Sequence, residues 1–336
     1  MKKEDLIQKI EDLRQSRLIV YITGDRNGPL GARIAMDAIP IFSQQLRKIG
    51  KVPQIDLFLY SVGGDTMVPW RLVSMIREYA DKFSVLVPYK AHSSASMISL
   101  GADEIVMSDL SELSPIDPST SNVFNPSDPQ NTQIKVPISV EDVMAYFDLA
   151  KVKIGIKDEK ELTEIFKKFM ESNPQIHPLA LGNVNRVHNL IRLLAKKLLK
   201  SHQKPMPESE INQIVDYLTE KLYSHQYFIG RKEAKEELGM KNVIYAEKEL
   251  SDLMTELFAE YQKEMELDAS WTPEGEIGMS QSLKKDYIIA AIDSKESPNR
   301  YRLSLEFKKI QKVPPAPQDP TPQEQVVWRV TNQKWN

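Results

Sequence analysis

Phe83-Ser-Val-Leu-Val-Pro-Tyr-Lys-Ala-His92-Ser93-Ser-Ala-Ser96-Met-Ile-Ser-Leu-Gly-Ala-Asp103 is the stretch on which the reading of the chain turns. Val85, Leu86 and Val87 are apolar without alternation, the pattern of a strand covered on both faces of a parallel sheet. Pro88 breaks the run. Small residues then surround Met97, Ile98 and Leu100, which suits a buried helix. Ser93, Ser94 and Ser96 crowd the junction, where a helix N-terminus leaves backbone N–H groups unpaired and favours negative charge. A serine placed there can cap the helix. It can also attack a carbonyl, because the same field stabilises an alkoxide and the oxyanion it creates.

Upstream, Gln54-Ile-Asp-Leu-Phe-Leu-Tyr60 reads as a second strand, followed at once by Ser61-Val-Gly63-Gly64-Asp65 and a helical run from Met67 to Tyr79. Paired glycines after a strand allow a sharp turn and bring bare N–H groups close to a ligand. With the two strands as parallel neighbours, Gly63 and Gly64 lie beside Ser93 at one rim of the sheet. One strand end then offers an oxyanion hole and the other a nucleophile. Arg17–Thr23 is the first strand, and the Gly24–Pro29 turn after it lacks the Walker lysine and the GxGxxG spacing of a phosphate loop. Residues 32–49 read as a helix kinked at Pro40, and residues 4–14 as a short amphipathic helix. Strand–helix–strand–helix–strand order predicts an α/β fold of parallel crossover units with both sheet faces covered.

These motifs carry a family resemblance. The Ser61-Val-Gly-Gly-Asp65 turn resembles the Ser-Pro-Gly-Gly turn of Clp peptidases and signal peptide peptidase A, with Val62 in the place of the usual proline. Lys90-Ala-His-Ser93, Ala102-Asp-Glu-Ile-Val-Met107 and Glu112-Leu-Ser-Pro-Ile-Asp-Pro118 resemble the serine dehydrogenase proteinase group of the Clp/crotonase superfamily. The resemblance runs, with an inserted middle, from about Arg17 to Val243. It implies a Clp/crotonase-type spiral of parallel βαβ units with an inserted helical segment and a C-terminal extension. It implies a serine peptidase domain over 17–250, in which 119–205 is the loop and helical insertion, and an extension over 251–336 with a Pro-rich tail. Ser93 takes the nucleophile's place, Gly63, Gly64 and Ser94 the oxyanion hole, and a ring-like homo-oligomer acting on polypeptides becomes the expected assembly.

The base is left open between two residues. Ile176-His177-Pro-Leu-Ala-Leu-Gly182 resembles, in residue order, the stretch that carries the Clp base, and histidine alone has an unperturbed pKa near neutral. Lys135, at the end of the polar loop 119–137, is the rival, since a lysine serves the serine in the signal peptide peptidase branch and a buried lysine can lose its proton. Asp117 is placed to orient an imidazole as a triad acid does. Two further readings remain: a silent member of the fold that acts as a scaffold or effector, and an acyl-CoA enzyme of the crotonase branch. The second is disfavoured by the absence of a carboxylate pair near Gly63.

Beyond residue 118 the periodicity predicts helix over 138–170 and Leu190–Leu199, then a helix in Pro207–Gly239 and one over Glu247–Met265. Tyr287–Ile292 and Tyr301–Phe307 read as strands, and Pro314–Pro322 as a polyproline-type tail. Trp328 and Trp335 are candidates to anchor the tail on a second subunit. Composition narrows the chemistry. The 336 residues carry 44 basic and 47 acidic side chains, a formal charge of −3, which gives no global pull toward nucleic acid or an anionic membrane. With no cysteine, thiolate catalysis and cysteine-bound metals are excluded. Five scattered histidines show no metal-binding spacing, so no metal and no cofactor are expected. No run of 18 apolar residues occurs, and acids sit where a signal peptide needs an apolar core; an ATP-independent, cytoplasmic enzyme without an integral membrane segment is the expectation.

Overall fold

The computed structural model describes residues 2–116, 119–120, 123–128, 131, 133–136, 138–139, 145–172, 177–222, 224, 227–312 and 323–336. Asp117 and the Pro314–Pro322 tail lie outside the described residues. In chain order the elements that position the site are α1 (Lys3–Arg14), β1 (Arg17–Thr23), α2 (Ala38–Ile49), β2 (Val52–Tyr60), α3 (Val68–Arg77), β3 (Ala80–Val87), β4 (Lys90–Ala91), α4 (Ser94–Leu100), β5 (Glu104–Met107) and β6 (Glu112–Leu113). After these come the short strands β7 (Ser119–Thr120) and β8 (Ile138–Ser139), then α5 (Glu159–Ser172), α6 (Pro178–Lys200) and α7 (Glu208–Asp216). Next are β9 (Ile229–Gly230), β10 (Val243–Tyr245), α8 (Lys248–Met265) and the long strands β11 (Ser282–Ser294), β12 (Ser297–Lys312) and β13 (Gln323–Trp335).

An eight-stranded sheet in the order β10-β5-β3-β2-β1-β11-β12-β13 carries the fold. β1, β2, β3, β5 and β10 are parallel, and the last three strands run antiparallel. Each central strand is apolar on both sides because each side has its own core. Ile19, Tyr21, Ile55, Leu57, Val85 and Val87 point into one, shared with α2, α3, α4 and α6. Leu18, Val20, Ile22, Phe58 and Leu86 point into the other, under α1 and α8. The expected α/β architecture of parallel βαβ units is therefore the observed one.

Four details depart from the sequence reading. α2 starts at Ala38, so Pro40 sits in its first turn, where a missing N–H is harmless, and kinks nothing. The segment 138–170 is not one helix: Ile138–Ser139 pairs with Ser119–Thr120, and helix resumes fully only in α5. The extension is part of the main sheet, since β11 pairs antiparallel with β1 from Val20↔Asp293 to Thr23↔Ala290. Finally, Trp335 is held by its own chain, its Nε1 donating to Asp37 Oδ2 at 3.0 Å and its ring 5.0 Å from Tyr301. Trp328 packs edge-on against Trp271. Among the described residues no helix is long and apolar enough to cross a membrane.

Candidate active site

The two loops that the sequence brings to one rim do converge. Ser61 N–H donates to the Lys90 carbonyl and His92 N–H to the Ser61 carbonyl, both at 2.9 Å, so the end of β2 is laced to β4. That lacing sets Gly63 against Ser93. A β-carbon on Gly63 would lie 2.7 Å from Ser93 Cβ and 2.9 Å from the His92 carbonyl oxygen, and its φ of +99° favours glycine as well. A β-carbon on Gly64 would meet the Ile34 carbonyl oxygen at 2.1 Å. Ile34 N–H donates to the Gly63 carbonyl and Asp65 N–H to the Ile34 carbonyl, so the turn is clamped from its other side too. Ser61 Oγ accepts the Gly63 N–H at 3.0 Å and the Thr23 hydroxyl at 2.7 Å. This side-chain turn gives the loop a restraint at the position next to Val62.

Ser93 adopts φ 51°, ψ −115°, a conformation that non-glycine residues hold only when the surroundings impose it. It precedes α4 without capping it, and its Oγ makes no hydrogen bond among the described residues. The residue is half-buried and so open to a reactant. The neighbouring serines are spent on structure: Ser94 Oγ donates to the Gly64 carbonyl at 2.8 Å, and buried Ser96 Oγ donates to the Ala91 carbonyl at 2.6 Å. Among the described residues the Gly64 and Ser94 N–H groups have no hydrogen-bond partner, whereas the Gly63 N–H is taken by Ser61. Two free amides beside one free hydroxyl can bind a carbonyl oxygen while the hydroxyl adds to its carbon.

Charged groups flank this point. His92 Nε2 lies 3.0 Å from Glu112 Oε1, and burial pushes the Glu112 carboxyl up from its ordinary value while Lys90 pulls it back. Lys90 Nζ donates to Asp25 Oδ2 at 2.9 Å, and that contact holds its ammonium above the usual range despite burial. Ser114, which the sequence reading passed over, accepts the Ser93 N–H at 2.8 Å; its place in the Glu-Leu-x-Pro segment gave no chemical signal.

Neither candidate base touches Ser93. His177 caps α6, its Nδ1 accepting the Leu179 N–H at 3.1 Å, and its exposed ring stacks on Phe124 with centroids 4.9 Å apart. The C-terminal part of α6 packs on the nucleophile helix, where Leu198 Cδ2 would sit 2.9 Å from a β-carbon on Gly101. Helical rise puts His177 roughly 32 Å from Leu198 and Ser93 only about 12 Å from Gly101. The structure gives His177 and Ser93 no hydrogen bond to each other. Lys135 Nζ donates to Ser127 Oγ at 3.1 Å, in the loop whose Phe124 meets His177. Among the described residues no cluster of three or more metal-ligating side chains occurs.

A parallel α/β sheet thus sets a serine of positive φ against a diglycine turn in which, among the described residues, the Gly64 N–H is without a partner. The chain belongs to the ClpP-like SDH-type serine proteinase family, whose family model matches residues 1–175. Two uncharacterized proteins of Methanocaldococcus jannaschii are similar to it. MJ1495 is 30% identical over 129 residues, covering 35% of this chain and 42% of that protein. MJ0137 is 24% identical over 243 residues, covering 69% of this chain and 70% of that protein. The chain thus spans about two fifths of the length of the first relative and rather more than two thirds of the second. Crystal structures of methylmalonyl CoA decarboxylase, one complexed with 2S-carboxypropyl CoA, are similar at 14% identity. The complex has a TM-score of 0.26, covering 66% of this chain and 93% of that chain; the other has 0.24, covering 62% and 88%. The family is described as ClpP-like, in keeping with the parallel α/β sheet.

Proposed function

We propose that this protein is an ATP-independent serine peptidase whose nucleophile is Ser93. One observation carries the reading: Ser93 is held at positive φ against Gly63 with its hydroxyl uncommitted and uncapping. A residue kept only to start a helix would have spent that hydroxyl on the helix. In the reaction Ser93 Oγ adds to the peptide carbonyl carbon, and the Gly64 and Ser94 N–H groups hold the oxyanion. Collapse of the adduct expels the amine, which leaves with a proton, and water then hydrolyses the acyl-enzyme. His177 or Lys135 takes the proton, and with His177 as the base Asp117 orients its imidazole. The substrate is a polypeptide, the setting cytoplasmic, and the working form a homo-oligomer.

The absence of a base at hydrogen-bond distance from Ser93 Oγ among the described residues is also what a silent, scaffolding member would show. A fluorophosphonate probe read by intact mass separates the two. Labelling of wild type that disappears in Ser93→Ala and persists in Ser96→Ala supports the peptidase; no labelling of the assembled protein supports the scaffold. Lys135→Ala and His177→Ala then decide the base, because whichever variant keeps turnover is exonerated.

A further inference from the structure

The serines around Ser93 form a closed relay. Ser114 is 2% exposed and lies just past β6. Its hydroxyl donates to the Pro115 carbonyl at 2.9 Å, which leaves a lone pair facing the Ser93 N–H at 2.8 Å. Its own N–H donates to Ser96 Oγ at 2.9 Å, and Ser96 Oγ donates in turn to the Ala91 carbonyl at 2.6 Å. The Ser93 turn is therefore tied at both sides: Ala91 before it and Ser96 within α4 share one hydroxyl, and Ser114 closes the loop between them. β4 and β6 pair in parallel through Lys90↔Glu112 and Ala91↔Leu113, so the relay is anchored in a sheet.

The peptide that the relay holds matters chemically. Two consecutive N–H groups, of Ser93 and Ser94, could face a carbonyl oxygen, but a residue at φ 51° points them in different directions. With the first engaged by Ser114, the second is the free one. We propose that Ser114 is the positioning residue of the nucleophile: its hydroxyl oxygen fixes the Ser93 peptide, which keeps Oγ against Gly63 and turns the Ser94 N–H toward the carbonyl oxygen of the substrate. This inference rests on the reading of Ser93 as nucleophile. Ser114 touches neither substrate nor reacting atoms and acts through Ser93.

The test uses Ser114→Ala, which nearly keeps the volume, the somewhat larger Ser114→Cys, whose sulfur is a weak acceptor, and Ser114→Thr, which keeps the hydroxyl. With a fluorophosphonate the maximal labelling rate falls about 10- to 100-fold in the Ala and Cys variants, the factor expected when a buried N–H loses its acceptor. The half-saturating probe concentration stays unchanged, and Thr recovers most of the rate. Amide exchange followed by NMR gives a second readout that needs no reactivity: the Ser93 N–H loses protection in the Ala and Cys variants, while the Met97 N–H does not. Equal labelling rates and equal Ser93 protection in wild type and Ser114→Cys overturn the proposal. Loss of protection without any labelling of wild type upholds the clamp and removes the nucleophile assignment instead.

Discussion

Replacing Gly63 by alanine tests the convergence of the two loops at its tightest point. The added carbon would lie 2.7 Å from Ser93 Cβ, 2.9 Å from the His92 carbonyl oxygen and 3.2 Å from Ser93 Oγ. Carbon atoms rest at about 3.5 Å or more, so Ser93 must retreat by roughly 0.8 Å or the diglycine turn must open by as much. Either movement separates the hydroxyl from the amides that define the site. A displacement near 1 Å costs on the order of a hundredfold in rate. Forcing a side chain onto φ +99° adds about 1–2 kcal/mol of strain. For a chain of 336 residues that lowers the melting temperature by roughly 1.5–3 °C. The expected result for Gly63→Ala is a folded protein that reacts with a fluorophosphonate about 100-fold more slowly than wild type. Gly64→Ala behaves differently, because its carbon meets Ile34 backbone at 2.1 Å and no side chain can move aside; it loses more stability as well as reactivity. A Gly63→Ala protein that melts like wild type and labels within twofold of it refutes the juxtaposition. Ser93 would then be free of the turn.

Two further outcomes follow from groups away from the site. Asp56 is fully buried on β2 and bound by Arg14 Nε and Ser16 Oγ, each at 2.9 Å, and by Gln54 Nε2 at 2.8 Å. Asp56→Ala strands those donors and lowers stability by about 2–4 kcal/mol in urea unfolding, less than a full buried-pair loss because Arg14 keeps Glu104. His202, whose Nε2 lies 2.7 Å from the Leu100 carbonyl oxygen, has its pKa pushed down, chiefly by burial. Below the ordinary histidine range the unfolded chain binds a proton that the native chain refuses, so stability falls as pH drops through about 6.5 and below. His188 is shifted the same way by burial and Arg192. The depressed carboxyls of Asp103, Glu104 and Glu264 bring their own loss only at lower pH, below roughly 4.5. His202→Gln, which can still donate to Leu100, flattens the melting temperature between about pH 5 and 6.5; an unchanged slope excludes His202 as its source.

The central strands were legible because burial on both faces leaves an apolar run that needs no partner to be recognised. The diglycine turn was legible for a related reason: positive φ and a backbone approach of 2.1 Å admit no side chain, and that exclusion is written in the residue type. The placement of β11 beside β1 was not, since Val20 and Asp293 are paired by a sheet edge and nothing local encodes which strand fills it. Ser114 was missed on the same ground, because a hydroxyl that accepts one N–H across 21 positions of sequence looks like any other serine.

His177 shows where order along the chain parts from distance. The histidine, the proline and the helix that follow one another in Ile176–Leu199 match the Clp pattern in sequence, and the helix is there, starting at Pro178. A helix is a rod, however, and each residue between the packed Leu198 and the N-terminus carries the cap about 1.5 Å further away. The far end packs against Gly101, and the near end has His177 on the Leu179 N–H and on Phe124. Lys135 belongs to the same neighbourhood, since its bond to Ser127 lies in the loop whose Phe124 stacks on His177. A Lys135→Ala protein that turns over as wild type does leaves His177 as the base, and a His177→Ala protein that does so leaves Lys135.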